Sequence, residues 1–557
     1  MRTWITGLGL ISPLAPSTRQ TMRLLLSGAR AQSKVTLFDV SELRAQLAAE
    51  IAGFRVEDVA PLGAAGKWSR SDALALVAAR EALTEARVAP TDPVDLIVGG
   101  TTGGLFVTEA KIASLHKPLA AGGETAEKAL AEAYSDEALR SHPVSATADR
   151  LFETVHRFRR TRTVCSACSS SANAIALADA WIRAGKSKLV LAGGTDALAR
   201  LTFVGFNLLQ AMDPAPCRPF DVKRMGMNLG EAAAFLLLES EESARARGVS
   251  PIAELAGWAI GSEAHHITNP EAAGTTASRL MRAALGRGGL SPADVGYVNA
   301  HGTATPHNDR MESAALNEVF GERLSDVYIS SSKGQLGHTL GAAGAVEAAI
   351  TALSLADREL PPTAGLEEPD PALAALKHVR GKGVAHRARA ALSSSFGFGG
   401  SNTVLALTEP GLFERPAEGG SRRRRIVVTA STVLGPEGVH NNADVARYLE
   451  GTPGENVGAS SAESLAKSLD VERARRLDRG GALVTAINGR ALDAAGIERA
   501  ADTSRLGMVC GIAFRREEDF AAFLWPILEK GFRAGKPAVF PICFCRRPPG
   551  TRRSTWA

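Results

Sequence analysis

Short apolar runs alternate with longer stretches of helical periodicity along the first three quarters of the chain, which predicts a layered α/β architecture. Residues 95–100, 187–194, 295–300 and 327–331 read as buried strands ending in small residues. Residues 72–86 and 171–184 carry apolar positions at helical spacing, and Gly185 supplies a stop for the second. The first 13 residues read as a buried strand running into a glycine turn. Thr6, Gly7, Gly9 and Ser12 interrupt them and no small-residue cleavage site follows, so a signal peptide is not expected. A turn at Arg218-Pro-Phe-Asp221 precedes the apolar run 230–238, and a new strand is expected near Pro251. These signals divide the chain into residues 1–250 and 251–410, two halves of one catalytic unit, followed by a Pro/Gly/Arg-rich linker over 411–424.

The pattern then begins again. Residues 2–13 lie without gaps on residues 425–436, and Leu26-Ser-Gly28 falls on Leu449-Glu-Gly451 at the same spacing. At a slightly smaller spacing Ala73-Leu74 falls on Ala482-Leu483 and Ala82-Leu83 on Ala491-Leu492. One such match is what any helix after a strand would give, but several in order favour a duplicated start. Residues 425–541 are therefore expected to be a partial second copy of the N-terminal region. A second nucleophile at this spacing would fall beyond Ala557, so Cys510, Cys543 and Cys545 do not fill that role. Residues 542–557, with Arg546, Arg547, Arg552 and Arg553, have the bias of a misread GC-rich frame. A gene break is the expectation and a natural basic tail its rival.

Composition narrows the setting. The 557 residues carry 64 Lys+Arg against 59 Asp+Glu, a net charge of +5 that is small for this length, and much of the excess sits in Arg422 to Arg425 and the tail. Neither nucleic acid nor an anionic membrane is implied as a partner. Six cysteines in so long a chain form no secreted-type framework, and no apolar stretch approaches the roughly 20 residues of a membrane span. A cytoplasmic location is expected.

The chemistry concentrates at three places. Ser166-Ala-Cys168-Ser-Ser-Ser is a small-residue turn between a strand and an amphipathic helix. A cysteine there faces the unpaired amides and positive end of the helix, which predicts a lowered thiol pKa and a nucleophile. A lone cysteine at such a junction would more often be an inert core residue. The Cys165-x-x-Cys168 spacing has no second ligand pair for zinc and none of the flanks of a redox motif. Two histidines shift the balance: Asn299-Ala-His301-Gly-Thr-Ala-Thr follows one predicted strand, and Lys333-Gly-Gln-Leu-Gly-His338 opens a helix in a glycine-rich turn. A metal site on His301, His307 and Asp309 is the rival; it lacks a fourth ligand in sequence, and no metal is expected.

With these motifs in view, residues 1 to about 408 resemble the β-ketoacyl-acyl carrier protein synthases of the chain-elongating type, within the thiolase superfamily. The resemblance also takes in Thr6-Gly7-Leu8-Gly9, Gly193-Gly194-Thr195-Asp196-Ala197, Gly230-Glu231, His266-Ile-Thr268-Asn-Pro270 and Ser395-Phe-Gly-Phe398-Gly-Gly-Ser-Asn402. It implies an α/β thiolase-like five-layer αβαβα fold of two similar halves, paired as a homodimer or as a heterodimer with a related synthase. It makes Cys168 the acyl-accepting nucleophile, with Cys165 a bystander, and His301 and His338 the donors that stabilise the enolate left when a malonyl thioester loses carbon dioxide. Lys333 would orient and charge the site. Thr303 and Thr305 would bind the pantetheine amides, with Thr268 a further substrate-binding position. Phe398 would gate the acyl tunnel, and the Phe398-Gly399 turn would share an oxyanion hole with the Cys168 amide. Asp309, Glu312 and Glu347 would support.

The implied partners are acyl carrier protein and its acyl and malonyl thioesters; the phosphopantetheine arrives on the carrier, so no resident cofactor is implied. Relatives frame the alternatives. A non-decarboxylating thiolase has a second cysteine, and a chain-initiating synthase an asparagine, where this chain has His338. A chain-length factor lacks the nucleophile, whereas a catalytically silent scaffold would bind carrier protein through the same surface without decarboxylation or condensation. Met225 and Met227, and Ala232 in Gly230-Glu-Ala-Ala, depart from the family pattern near the site and are expected to bear on substrate choice.

Overall fold

The computed structural model describes residues 1–61, 67–135, 140–414, 427–435, 438–442, 479–498, 517–537 and 539–540. The described residues up to Thr408 build two strand units of the same topology. The N-terminal unit has β1 (Thr3–Ile11), β2 (Val94–Gly99), β3 (Thr161–Val164), β4 (Leu189–Asp196) and β5 (Ala232–Ser240), in the order β1-β5-β4-β2-β3. The C-terminal unit has β6 (Ala253–Ser262), β7 (Val295–Asn299), β8 (Tyr328–Ser330), β9 (Ala390–Gly397) and β10 (Ser401–Thr408), in the order β6-β10-β9-β7-β8. In each, the first two ladders are antiparallel and the last two parallel. The units join through a short antiparallel ladder, Trp4↔Glu254 and Ile5↔Ala253.

Helices fill three further layers. Helix α1 (Arg70–Glu85) covers the outer face of β1 and β5, and α5 (Thr275–Gly288) covers β6 and β10 in the matching place. Between the units lie α3 (Ser170–Arg183) and α7 (Ala343–Asp357), packed on each other. This is the αβαβα arrangement of two similar halves. The helix boundaries have local causes: Ser69 and Asp72 form a capping box at the start of α1, and Gly185 takes a left-handed conformation just after α3. One 18-residue helical stretch, Leu340–Asp357, is as long and apolar as a membrane span, with a mean hydropathy of 1.3. Its length corrects the expectation that no apolar stretch approaches a membrane span. It is 89% buried between the two units, the environment of a core helix apolar on every side.

The glycines near the N-terminus lie within β1 and not in a turn after it. All nine β1 residues are buried, and at Gly9 an added Cβ would overlap the Ala78 carbonyl oxygen of α1. Gly9→Ala is expected to force α1 off the sheet and destabilise the protein by about 1–3 kcal/mol, measurable as a lowered urea midpoint.

Beyond residue 414 the described elements are a hairpin, β11 (Thr432–Gly435) with β12 (Gly438–Asn441), helices α8 (Arg479–Ala494) and α9 (Glu517–Lys530), and a short 3-10 turn, Phe532–Ala534. Within the stretch that matches β1 in sequence, residues 427–435 are described, and the regular strand there is Thr432–Gly435, paired with the neighbouring β12. Most of the expected linker, the Arg422 to Arg425 run, Cys510, Cys543, Cys545 and the tail at 542–557 lie outside the described residues.

Candidate active site

Cys168 stands between the end of β3 and the first turn of α3. The turn is strained: Ala167 has φ +53°, a left-handed conformation unusual for a residue with a side chain. Ser170 holds it there, its Oγ accepting from the Ser166 amide at 2.9 Å and donating to the Ala167 carbonyl at 2.6 Å. The strain aims the sulfur inward, leaving Cys168 8% exposed. The amides of Phe398 and of Cys168 itself face the sulfur.

The thiol is not the low-pKa group that its place before a helix suggested. Burial pushes it up to about 11, and the charge of Lys333 and the two amides recover only part of that. Because only the thiolate reacts with an alkylating agent, iodoacetamide modification of Cys168 in the free enzyme should be slow at pH 7. It should quicken about tenfold per pH unit up to about 11; a plateau below pH 9, followed by peptide mass spectrometry, would contradict this.

His301 follows β7, and its loop is fixed from below. Glu312, on α6 (Pro306–Phe320), accepts from the His301 and Gly302 amides at 2.8 Å each. Burial pushes the Glu312 carboxyl up to about 7. The His301 Nδ1 lies 3.3 Å from the Lys333 ammonium, which is also salt-bridged to Glu347; all three side chains are buried. His338 is held through its backbone, donating to the Asn228 carbonyl at 2.8 Å and accepting from the Gly230 amide at 2.9 Å. Its Nδ1 accepts from the Leu340 amide at 3.2 Å.

These contacts determine the state of both rings. A donor on each Nδ1 leaves the proton of the neutral imidazole on Nε2. Burial first, then the Lys333 charge, holds both rings well below the usual histidine range, so they are neutral at physiological pH. The rings meet edge to face, centroids 5.3 Å apart and planes at 87°. Phe396 of β9 stands 5.7 Å from the His301 ring. At the next residue, Gly397, an added Cβ would lie 3.1 Å from the Ser166 carbonyl oxygen and 3.3 Å from the Cys168 amide. The end of β9 thus joins the histidines to the nucleophile turn.

The remaining expected positions separate into two groups. Thr303 and Thr305 follow His301 with their hydroxyls 2.8 Å apart, and Thr268 lies in the loop beside His266. Phe398 is half-buried at the turn between β9 and β10. Gly399 requires a correction: its amide donates to the Ile267 carbonyl at 2.7 Å, so of this turn only the Phe398 amide faces Cys168. Asp309 lies away from the chemistry, accepting from the Phe220 amide at 2.8 Å and facing Arg224. Met227 is a core residue, whereas Met225 is 58% exposed. Glu231 is buried in a salt bridge to Arg70 at 2.6 Å.

Three contributors carried no sequence signal strong enough to single them out. Asn228 carries His338 and binds the Cys217 amide at 2.6 Å. Asp196 accepts from Thr101, Thr102 and Gly341, tying β4 to the turn after His338; it stood within the Gly193–Ala197 motif without a role of its own. Phe206, on α4 (Arg200–Leu208), lies 5.6 Å from Phe398 and looked like any apolar helix residue.

Fold and site together define a thiolase-type condensing enzyme, and the comparisons specify which. Residues 2–244 match the family model described as Beta-ketoacyl synthase, N-terminal domain, and residues 252–367 that of the C-terminal domain. The chain belongs to the β-ketoacyl synthase family. It is 33% identical over 415 residues to a 3-oxoacyl-[acyl-carrier-protein] synthase 2 of Staphylococcus aureus, covering 73% of this chain and 97% of that protein. Among solved structures, a beta-ketoacyl synthase from Burkholderia phymatum is similar at 33% identity and TM-score 0.66, covering 73% of this chain and 99% of the other. The ishigamide ketosynthase/chain length factor is similar at 31% identity and TM-score 0.66, covering 74% and 99%.

Proposed function

We infer that this chain is a chain-elongating 3-oxoacyl-[acyl-carrier-protein] synthase of fatty-acid or polyketide-type assembly. The observation that carries the reading is a pair of neutral buried histidines, each with its proton on Nε2, beside a buried thiol faced by two backbone amides.

In the first half-reaction the Cys168 sulfur attacks the carbonyl of an acyl thioester on the carrier's phosphopantetheine. The S–C bond to pantetheine breaks and the Cys168 proton ends on the pantetheine thiol, so the exchange is proton-neutral. The amides of Cys168 and Phe398 are the donors for the tetrahedral oxyanion. A malonyl thioester enters next, beside Thr303, Thr305 and Thr268. Its C–C bond to the carboxylate breaks, carbon dioxide leaves, and the electron pair passes into an enolate whose oxygen accepts from the His301 and His338 Nε2–H groups. The enolate carbon attacks the acyl group on Cys168, and the sulfur leaves as thiolate. That thiolate takes up one proton, a step favoured by a thiol pKa near 11.

Lys333 acts through His301, holding its Nδ1 as acceptor, while Glu347 balances the buried charge. Incubation with acyl-carrier and malonyl-carrier thioesters is expected to give an acyl adduct on the Cys168 peptide and one carbon dioxide per β-ketoacyl product. Condensation without carbon dioxide release, or an adduct on another residue, would overturn the reading.

A further inference from the structure

At a spacing of 409, helix α8 matches its N-terminal counterpart over its whole length, and α9 matches at its C-terminal end. Helix α8 spans the same 16 positions of the repeat that α1 spans, Arg479 standing to Ala482 as Arg70 stands to Ala73. At that spacing Lys530, which ends α9, is the counterpart of Ala121, which ends α2 (Leu105–Ala121). The residues that follow, Gly531 and Gly122, share one backbone conformation, φ 82°, ψ 176° and φ 69°, ψ −171°. Each helix carries an interior proline, but Pro526 stands at the counterpart of Lys117, one position before Pro118.

Helix α9 packs on the catalytic unit through α2 and α4. Phe523, Leu524 and Ile527 are buried in one cluster with Leu201, Phe203 and Val204. Glu529 bridges to His116 at 3.2 Å, and the Arg200 guanidinium sits over the Phe532 ring. The His116 ring meets Trp525 with centroids 4.8 Å apart. In the frame of the repeat, Trp525 is the counterpart of His116. A residue touches its own counterpart where a two-fold axis passes, as in the isologous interface of a symmetric dimer. Helix α9 therefore sits across α2 as a second copy's α2 would.

The segment after α9 brings a side chain toward the active site. The Phe540 ring lies on Gly205, where an added Cβ would overlap it, and stands edge-on to Phe206 at 5.2 Å. Phe206 touches Phe398 at 5.6 Å. We propose that the C-terminal region serves in cis as the partner subunit of the ketosynthase, pairing through α9 on α2, and that Phe540 positions the Phe206–Phe398 pair and so selects which acyl chains reach Cys168. The partner is then the related copy within the chain and not an identical chain. The selection rests on the gate role proposed for Phe398; the pairing does not.

Two measurements on the full-length protein test this. Light scattering of the wild type should give one chain per particle. Trp525→Glu should free α2 and give concentration-dependent dimers; a wild-type dimer, or a variant that remains single, overturns the pairing. Acyl-enzyme mass spectrometry with short and long acyl-carrier thioesters should show that Phe540→Ala changes the long-to-short loading ratio roughly tenfold, the scale of an altered apolar specificity wall. Phe540→Leu should remain near wild type. An unchanged ratio in Phe540→Ala overturns the selection role even if its Tm falls. A wild type that no thioester acylates would instead refute the synthase assignment, leaving light scattering to decide the pairing.

Discussion

Cys168→Ala is expected to abolish acyl-enzyme formation and lower condensation by roughly four orders of magnitude or more, the scale seen when a covalent nucleophile is removed. The fold should survive, because the change deletes one sulfur atom at a turn held by Ser170 and should cost about 1 kcal/mol. Carbon dioxide release from malonyl-carrier thioester should persist in this variant. The enolate oxygen is bound by His301 and His338, which do not need the sulfur. Replacing either histidine should give the opposite division, with acyl adduct formed and decarboxylation lost. Parallel assays of adduct mass and carbon dioxide check both; an acyl adduct surviving in Cys168→Ala would refute the assignment.

Lys333→Met should be the most destabilising single change in the site. Lys333 and Glu347 are each 2% exposed and salt-bridged, so removing the ammonium leaves a buried acid without its partner, at a cost of about 3–5 kcal/mol. The pH dependence follows from the direction of the Glu347 shift. Its carboxyl is already pushed up to about 7 by burial, with Lys333 the largest opposing influence, and without Lys333 it moves higher. An acid whose folded pKa lies above its unfolded one loses stability as pH rises between the two. In the wild type that loss ends near pH 7, and in Lys333→Met it continues, so the deficit should widen above pH 7. Urea unfolding on both sides of pH 7 measures it. Lys333→Met combined with Glu347→Leu should recover much of the stability but not the activity, since His301 Nδ1 still lacks its donor.

The strands at Val94–Gly99, Leu189–Asp196 and Val295–Asn299 were legible because nearly all their positions are buried, which leaves short apolar runs such as Leu96–Val98 and Leu189–Ala192. Cys168, His301, His338 and Lys333 were legible because each sits in a small-residue turn at an element boundary. The turn that holds Gly399 was visible, but which amide of it remains available depends on Ile267, a loop residue far away in sequence. The thiol's raised pKa was not legible, because a helix terminus is a local feature whereas burial depends on everything packed around it. Asn228 and Phe206 act through contacts that only the closed fold creates.

The two strand units meet along just two paired positions, while the nucleophile comes from the first unit and both histidines from the second. Much of their relative placement thus depends on the central helices. The Ala345 amide donates to Ser171 Oγ at 2.9 Å, and Gly344 lies so close to Ala172 that an added Cβ would be 2.7 Å from its amide. The reacting groups are in effect carried by the two sides of a joint whose clearance is set by small side chains. A methyl group inserted at Gly344 would shift Cys168 relative to the histidines without touching any of them. Turnover should therefore be more sensitive than folding to substitutions along that seam.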